Sequence, residues 1–427
     1  MKALLDLFKK IEPDKKNSPF LHTLYDGFFT FVFSPNTVTR GGVHIRDRMD
    51  LKRTMVIVVL ALLLCYVFGT YNIGHQHFIA LGEYMGFFEG VNLKIAFGLI
   101  QIIPVFIVTH VVGLGIEFYY AAKKGHGIEE GFLVTGALIP LIMPPDIPLW
   151  ILTVAVAFAV IIGKEAFGGT GMNFMNIALL SRVFVFFAYP GEISGDGVWI
   201  AGFDQIKEGI SPEYGWWHLH FFNNIFDWFG WHAFDSSKAI VDGFTGATPL
   251  GLAAKGGWDA VAAVYSPAQM WWGDIPGSVG ETSKPLIILG ALFLIGTGIA
   301  SWRVMLSMLL GAALTGMLFN AVAPDMFTET TAEMWKFMAV PWYYQFYLGS
   351  FWFAMAFMAT DPVTAASTNK GKWIYGFFIG MIGLTIRVTN PAYPEGWMLA
   401  ILFMNVFAPL IDHIIIERNI HRRMARS

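Results

Sequence analysis

The chain has 427 residues, of which 55% are hydrophobic and 14% charged, with a net charge of −3, and its mean hydropathy is +0.55. That balance excludes an ordinary soluble domain, and the absence of a basic field excludes a nucleic-acid partner. Cys65 is the single cysteine, so an intrachain disulfide, a CxxC redox pair and a cysteine-ligated zinc are all excluded; any redox chemistry must come from an organic cofactor or a partner.

The opening MKALLDLFKKIEPDKK is positively charged but has neither a long apolar run nor a small-residue cleavage site, and no cleaved signal peptide is expected. Residues 1–53 also hold FLHTLYDGFFTFVF, too short to span and rich in aromatics. They read as a cytoplasmic or interfacial segment.

Ten apolar segments follow, at 54–73, 95–119, 131–145, 147–163, 171–190, 286–301, 303–323, 345–360, 373–390 and 397–416. Lipid satisfies no backbone polar group, and the segments lack the alternation of barrel strands, so the expected fold is an all-α polytopic membrane protein. The third, fourth, sixth and eighth segments are short, as broken helices are. With both termini in the cytoplasm, only Lys94, Lys207, Lys238, Lys255, Lys284 and Lys336 fall outside, while Arg182 and Arg387 lie within spans. Residues 191–285 then face the far side with eleven acids against four lysines, and residues 417–427 form a basic cytoplasmic tail.

Ten spans divide into two sets of five, at 54–190 and 286–416, and an odd number per set inverts the second copy. Faint echoes accompany the division: MPPDIP (143–148) and ATDPVT (359–364) each close a short span with an Asp beside proline, and FMNIALL (174–180) and FMNVFAPL (403–410) share a triplet. Inverted repeats place a solute pathway at their interface near the midplane, although a repeat kept for packing gives the same pattern.

The ionisable residues at bilayer depth are His110, Glu117, Lys164, Glu165, Arg182, Asp361, Arg387 and Asp412. Glu117, Lys164, Glu165 and Arg387 lie near span ends, where snorkelling is available. Asp361 precedes Pro362, which disfavours helix there, and Asp412 follows Pro409, which frees a carbonyl; both supply hard oxygens for a sodium path, or pair structurally with an arginine. Glu165 joins them as a path candidate. GGTGMNFMN (168–176) opens the fifth span, with Gly168 and Gly169 allowing close backbone approach and Asn173 and Asn176 sharing a helical face. A flavin or quinone suits that lining, as does close helix packing. The pairs His75/His77 and His218/His220 lack a third ligand and read as surface or interfacial residues; no metal site is expected.

DGFTGATPLG (242–251) lies in the outer segment and offers the Thr248 hydroxyl beside a turn. DGFTGAT resembles the D-G-x-[ST]-G-A-T flavinylation motif. With GKEAFGGTGMNFMN, FFAYP and ATDPVTAASTNKGKWIYG, it makes the whole chain similar to the B subunits of sodium-translocating NADH:quinone oxidoreductases. Thr245 stands where serine is commoner. The resemblance implies FMN in phosphoester linkage on Thr248, with Asp242, Gly243, Thr245, Gly246 and Ala247 as the recognition sequence for a flavin transferase. It implies further a non-covalent riboflavin, ubiquinone as substrate, Na+ as the transported ion, partner subunits A, C, D, E and F in a bacterial inner membrane, and NADH oxidation on a partner. The alternatives are the related D subunit of the ferredoxin:NAD oxidoreductase complex, usually shorter at its N-terminus, and a secondary transporter or channel.

Overall fold

The computed structural model describes residues 51–124, 131–203, 244–323, 332–390 and 395–426, with Ile11–Pro13, Leu21, His22, Tyr25 and Phe29 before them. Each of the ten apolar segments falls on a helix, and no strand occurs among the described residues. In chain order the first five are α1 (Leu51–Ala80), α2 (Val91–Lys124), α3 (Phe132–Ile142), α4 (Leu149–Gly163) and α5 (Ile177–Ala188). Two helices of the outer segment follow, α6 (Pro249–Ala262) and α7 (Pro267–Trp272), then α8 (Lys284–Gly296), α9 (Trp302–Val322) and α10 (Ala332–Met338). The last three are α11 (Phe351–Phe353), which runs into a π-helical turn over Ala354–Met358, α12 (Asn369–Thr389) and α13 (Trp397–Met424). Among these, α1, α2, α4 with its following turn, α9 and α13 are long and apolar enough to cross a membrane.

The two sets of five have partly parallel pairings, although α1 also packs closely on α2, whereas α8 and α9 do not pair to that extent. In the first, α2 packs on α4, α4 on α5, and α3 on its neighbours α1, α2 and α5; in the second, α9 packs on α12, α12 on α13, and the α11–π segment on α8, α9 and α13. Across the sets, α1 packs on α8 and α5 on α13. Asp146 follows α3 and accepts a hydrogen bond from the Gly202 amide at one end of the bundle, while Asp361 follows the α11 segment at the other end. The two asparagines of the FMN triplets also meet. With its amide oriented to satisfy both ends, Asn405 accepts from the Asn176 amide at 3.2 Å and donates to Tyr375 Oη at 2.6 Å and the Ile401 carbonyl at 3.2 Å. Pro409 lies four residues beyond Asn405 in α13, so the Asn405 carbonyl receives no helical N–H.

The core runs through both sets as one continuous apolar cluster. Phe353 and Phe357, with ring centroids 5.1 Å apart, fill the middle against Gly280 and Gly290, where a side chain would collide with them. A separate small core joins α6 to α10 through Leu250, Ala254, Val261, Phe337 and Val340, with Trp258 stacked on Tyr344 at 3.5 Å between ring centroids.

Several expectations are corrected. The fifth helix starts at Ile177, not near 171, because Gly168, Gly169 and Gly171 have positive φ and Asn176 caps the helix by accepting from the Leu179 amide at 3.2 Å. Asn173 and Asn176 therefore do not share a helical face. Lys164 does not snorkel: it is buried in an ion pair with buried Glu117. Arg387 is fully buried, its Nη1 donating to the Gln345 carbonyl at 2.9 Å and the Leu348 carbonyl at 3.1 Å. His75 and His77 are buried, His75 within 3.2 Å of Asp274 and His77 within 2.7 Å of the Ala201 carbonyl. The basic tail continues α13 as helix to Met424. His218 and His220, and most of residues 1–50, lie outside the described residues.

Candidate functional site

Thr248 is the N-cap of α6, its Oγ1 accepting from the Gly251 amide at 3.1 Å, with Pro249 in the first helical position, where a missing N–H costs nothing. The preceding motif residues are fixed by backbone contacts. The Gly246 carbonyl accepts from the Gly197 amide at 3.1 Å, and Gly246 has φ +66°; a Cβ added there would lie 2.9 Å from the Gly197 Cα, so any side chain meets backbone in a left-handed conformation. The buried Ala247 carbonyl accepts from Tyr265 Oη at 2.9 Å, and Thr245 stays exposed. Asp242 and Gly243 lie outside the described residues.

The half-buried Thr248 lines a cavity of about 200 Å³. Its rim carries the exposed ion pair of Lys255 with Asp196 at 2.7 Å. Its floor is buried and charged: Arg182 pairs with Glu281 at 2.7 Å and lies 5.5 Å over the Trp199 ring, Lys284 Nζ donates to the Thr282 carbonyl at 3.0 Å, and Glu395 accepts from the Ser350 amide at 3.3 Å. Arg387 stands behind Glu395. Its Nη2 and Glu395 Oε2 are each 3.0 Å from where a Cβ on Gly349 would be. Burial, reinforced by the charge of Glu281 and opposed by Arg182 and Arg387, pushes the Glu395 carboxyl up to about 7. The hydroxyls of Ser278 and Thr282, both in residues of the cavity wall, are buried and without a hydrogen-bond partner among the described residues.

A second cavity, of about 90 Å³, lies toward the other end of the bundle between the two helix sets. Asn173, Asn176 and Asp361 line it together with Lys164, Thr54, Thr135, Thr170 and Thr360. Asp361 accepts from the Val363 amide at 3.1 Å and the Thr364 hydroxyl at 2.9 Å, and Asn173 donates to the Met175 carbonyl at 3.1 Å. From Lys284 in the first cavity to Leu294 in the second, α8 rises roughly 15 Å.

The other candidates stand apart from both cavities. Asp412 accepts from the Ser367 amide at 2.6 Å, the Thr368 amide at 3.0 Å and the Thr368 hydroxyl at 2.5 Å, clamping the start of α12 to α13. Glu165 is buried and paired with Lys124 at 3.0 Å. Gly168 and Gly169 shape the turn before Thr170 without lining the second cavity. Neither Asp361 nor Asp412 is paired with an arginine among the described residues. The floor of the Thr248 cavity, Glu281, Lys284 and Glu395, was not expected from the sequence. Its signal was the pair of arginines in apolar spans, because a buried guanidinium requires acceptors.

A helical bundle with crossing-length apolar helices, broken helices in both halves and polar cavities between them defines a multi-pass membrane protein. The NQR2, RnfD, RnfE family model matches residues 38–421, and the chain belongs to that family. Among similar proteins, the B subunit of the Na(+)-translocating NADH-quinone reductase of Chromohalobacter salexigens is 42% identical, over 95% of this chain and 92% of the relative. The protein of the same name from Klebsiella pneumoniae is 38% identical over the full length of both. That from Pseudomonas paraeruginosa is 39% identical over 95% of this chain and 94% of its own.

Proposed function

We propose that the chain is the membrane subunit of a sodium-translocating NADH:quinone reductase, and that it carries FMN by a phosphoester on Thr248. The observation that carries the reading is the Thr248 hydroxyl at the wall of a cavity with a buried charged floor and two buried hydroxyls without partners among the described residues. A phosphoryl group on an N-cap oxygen sits where helix N–H groups and the macrodipole favour negative charge. A heteroaromatic ring with carbonyl and imide edges meets the donors that Ser278, Thr282 and Lys284 hold, so the residues fit the group.

Flavin, when bound, supplies electron-transfer chemistry that no side chain here has. The chain's own residues orient and surround it. Asp242, Gly243, Thr245, Gly246 and Ala247 form the segment a flavin transferase reads, with Gly246 and Ala247 keeping Thr248 at the helix start. The second cavity supports riboflavin or ubiquinone at Asn173 and Asn176, and Asp361 is the ion-path candidate that its geometry favours over Asp412 and Glu165. The wider reading adds subunits A, C, D, E and F, NADH oxidation on a partner, both termini in the cytoplasm of a bacterial inner membrane and residues 191–285 in the periplasm. It divides the chain into residues 1–53, helix sets at 54–190 and 286–416, the outer segment 191–285 between them, and the tail 417–427.

The test is in-gel flavin fluorescence of the denatured chain expressed with a flavin transferase. A wild-type band that vanishes in Thr248→Ala is expected; a dark wild-type band would leave a transporter of the same architecture as the better account.

A further inference from the structure

Two chain segments wall the Thr248 cavity, one within residues 193–199 and one within 275–282, and the C-terminal end of α1 ties both to the bundle. Behind the first, the Ala201 carbonyl lies 2.7 Å from His77 Nδ1, and the Gly202 amide donates to Asp146. Ahead of the second, His75 and Gln76 hold Asp274 at 3.2 and 3.1 Å, and Asn72 donates to the Ile275 carbonyl at 3.0 Å. Anchoring the two walls is thus the part that the His75/His77 pair plays.

The first wall has a loose stretch between two buried residues, Ile193 and Ile200. Ser194, Gly195 and Asp196 are exposed, and Gly195 and Gly197 have φ of +138° and +90°. Among the described residues, two polar contacts join this loop to the attachment segment. The Gly197 amide donates to the Gly246 carbonyl at 3.1 Å, and Asp196 pairs with Lys255 of α6 at 2.7 Å. Beneath the loop, Gly246 and Ala247 are buried, and the Ala247 carbonyl is taken by Tyr265. A transferase that reads these residues as a chain segment needs backbone that the closed loop covers.

Resting on the reading that Thr248 carries a flavin, we propose that residues 194–197 form a flap over the attachment segment, which lifts off Gly246 to admit the flavin transferase and closes once the flavin is in place. Lifting breaks one backbone hydrogen bond and one solvated ion pair and leaves the anchors at Ile193, Ala201 and Gly202 intact, so it is a local opening. The step it admits is a phosphoryl transfer. With a flavin dinucleotide as donor, the bond from Thr248 Oγ1 to phosphorus forms, the pyrophosphate bond breaks, adenosine monophosphate leaves, and the hydroxyl proton passes to water; no electron moves. Ser194, Gly195 and Asp196 line the cavity with Thr248, so closure covers the attached group.

The test uses the full chain expressed without the transferase, purified in detergent and then given purified transferase and flavin adenine dinucleotide, with in-gel fluorescence followed over time. The double variant Asp196→Cys/Lys255→Cys replaces two exposed side chains, 40% and 65% accessible, and is compared unbridged, bridged by a short bis-maleimide, and capped with a monofunctional maleimide. Cys65 is 3% exposed and stays unmodified. The unbridged and capped forms should label at similar rates, and the bridged form about tenfold more slowly or less. Equal rates before and after bridging overturn the flap, and so does an equal slowing by the caps, since bulk at the rim would then be the block. An unbridged chain that stays dark, when the co-expressed chain fluoresces, overturns it too: the flavin would be attached before the loop folds. A co-expressed wild-type band that is itself dark removes the reading of Thr248 instead.

Discussion

The two cavities open toward opposite ends of the helix bundle and differ in what lines them. At the Thr248 end, three cations, Arg182, Lys255 and Lys284, line the cavity together with three carboxylates, Asp196, Glu281 and Glu395. At the Asp361 end, the one lining cation, Lys164, is neutralised by Glu117, and what remains is oxygen: a carboxylate, two amides and four threonines. The helix bundle thus fixes where polar space opens, while a few side chains decide the chemistry of each cavity. The first cavity is lined by opposed charges, and the second by hydroxyl and amide groups beside one carboxylate without an ion pair among the described residues.

The largest effect is expected from Arg182→Met, which leaves Glu281 buried without its partner and costs about 3–5 kcal/mol. Thermal unfolding of the detergent-solubilised chain should show the loss, with Glu281→Gln in the same chain recovering part of it. An unchanged midpoint would mean that the floor of the Thr248 cavity is not held by this pair. Gly246→Ala comes next, at about 1–2 kcal/mol for the left-handed backbone alone. Because it displaces the segment ahead of Thr248, fluorescence per stained band should fall while the Asp361 end keeps its properties. The second cavity is probed by Asp361→Asn, expected to raise the sodium concentration for half-maximal turnover with covalent flavin retained. Asp412→Asn is the control: it weakens a helix clamp by about 1 kcal/mol and should leave sodium dependence alone. A reversed outcome would move the ion path to the clamp. The pH dependence is smaller. The Glu395 carboxyl stands near 7 in the fold, above its ordinary value of 4.5, so stability is fully present below about pH 4.5 and falls as pH rises through 7. Melting midpoints from pH 5 to 8 should decline in wild type and flatten in Glu395→Gln.

The ten apolar segments and the break after the third and eighth were legible because each is written locally, in run length, proline and turn residues. The charge partners were not. Lys164 finds Glu117 and Arg182 finds Glu281 across 47 and 99 residues, and Arg387 takes carbonyls from a turn about 40 residues before it, so snorkelling was the natural reading of Lys164 and Arg387 from sequence alone. The start of the fifth helix was misplaced for a local reason that apolar patterning overrides. Three glycines of positive φ unwind the chain up to Asn176, and the asparagines reach one cavity from a loop, not from a helical face. Asp361 stood out beside its proline and does line a cavity; Asp412 stood out in the same way and turned out to be a clamp.

The short helices bear on how the chain enters the membrane in the first place. With 11 residues in α3, that helix rises only about 16 Å, roughly half of the hydrocarbon thickness of about 30 Å, and the α11 segment is shorter still. Neither can be released into lipid as an independent span, since the backbone groups beyond its ends would be left facing hydrocarbon. Each must be held during biosynthesis until its flanking helices arrive, α4 and α5 for the first, α12 and α13 for the second. Insertion is therefore expected to proceed in blocks of five helices, and a nascent chain stopped after α3 should remain accessible to the quality-control proteases that a chain stopped after α5 escapes.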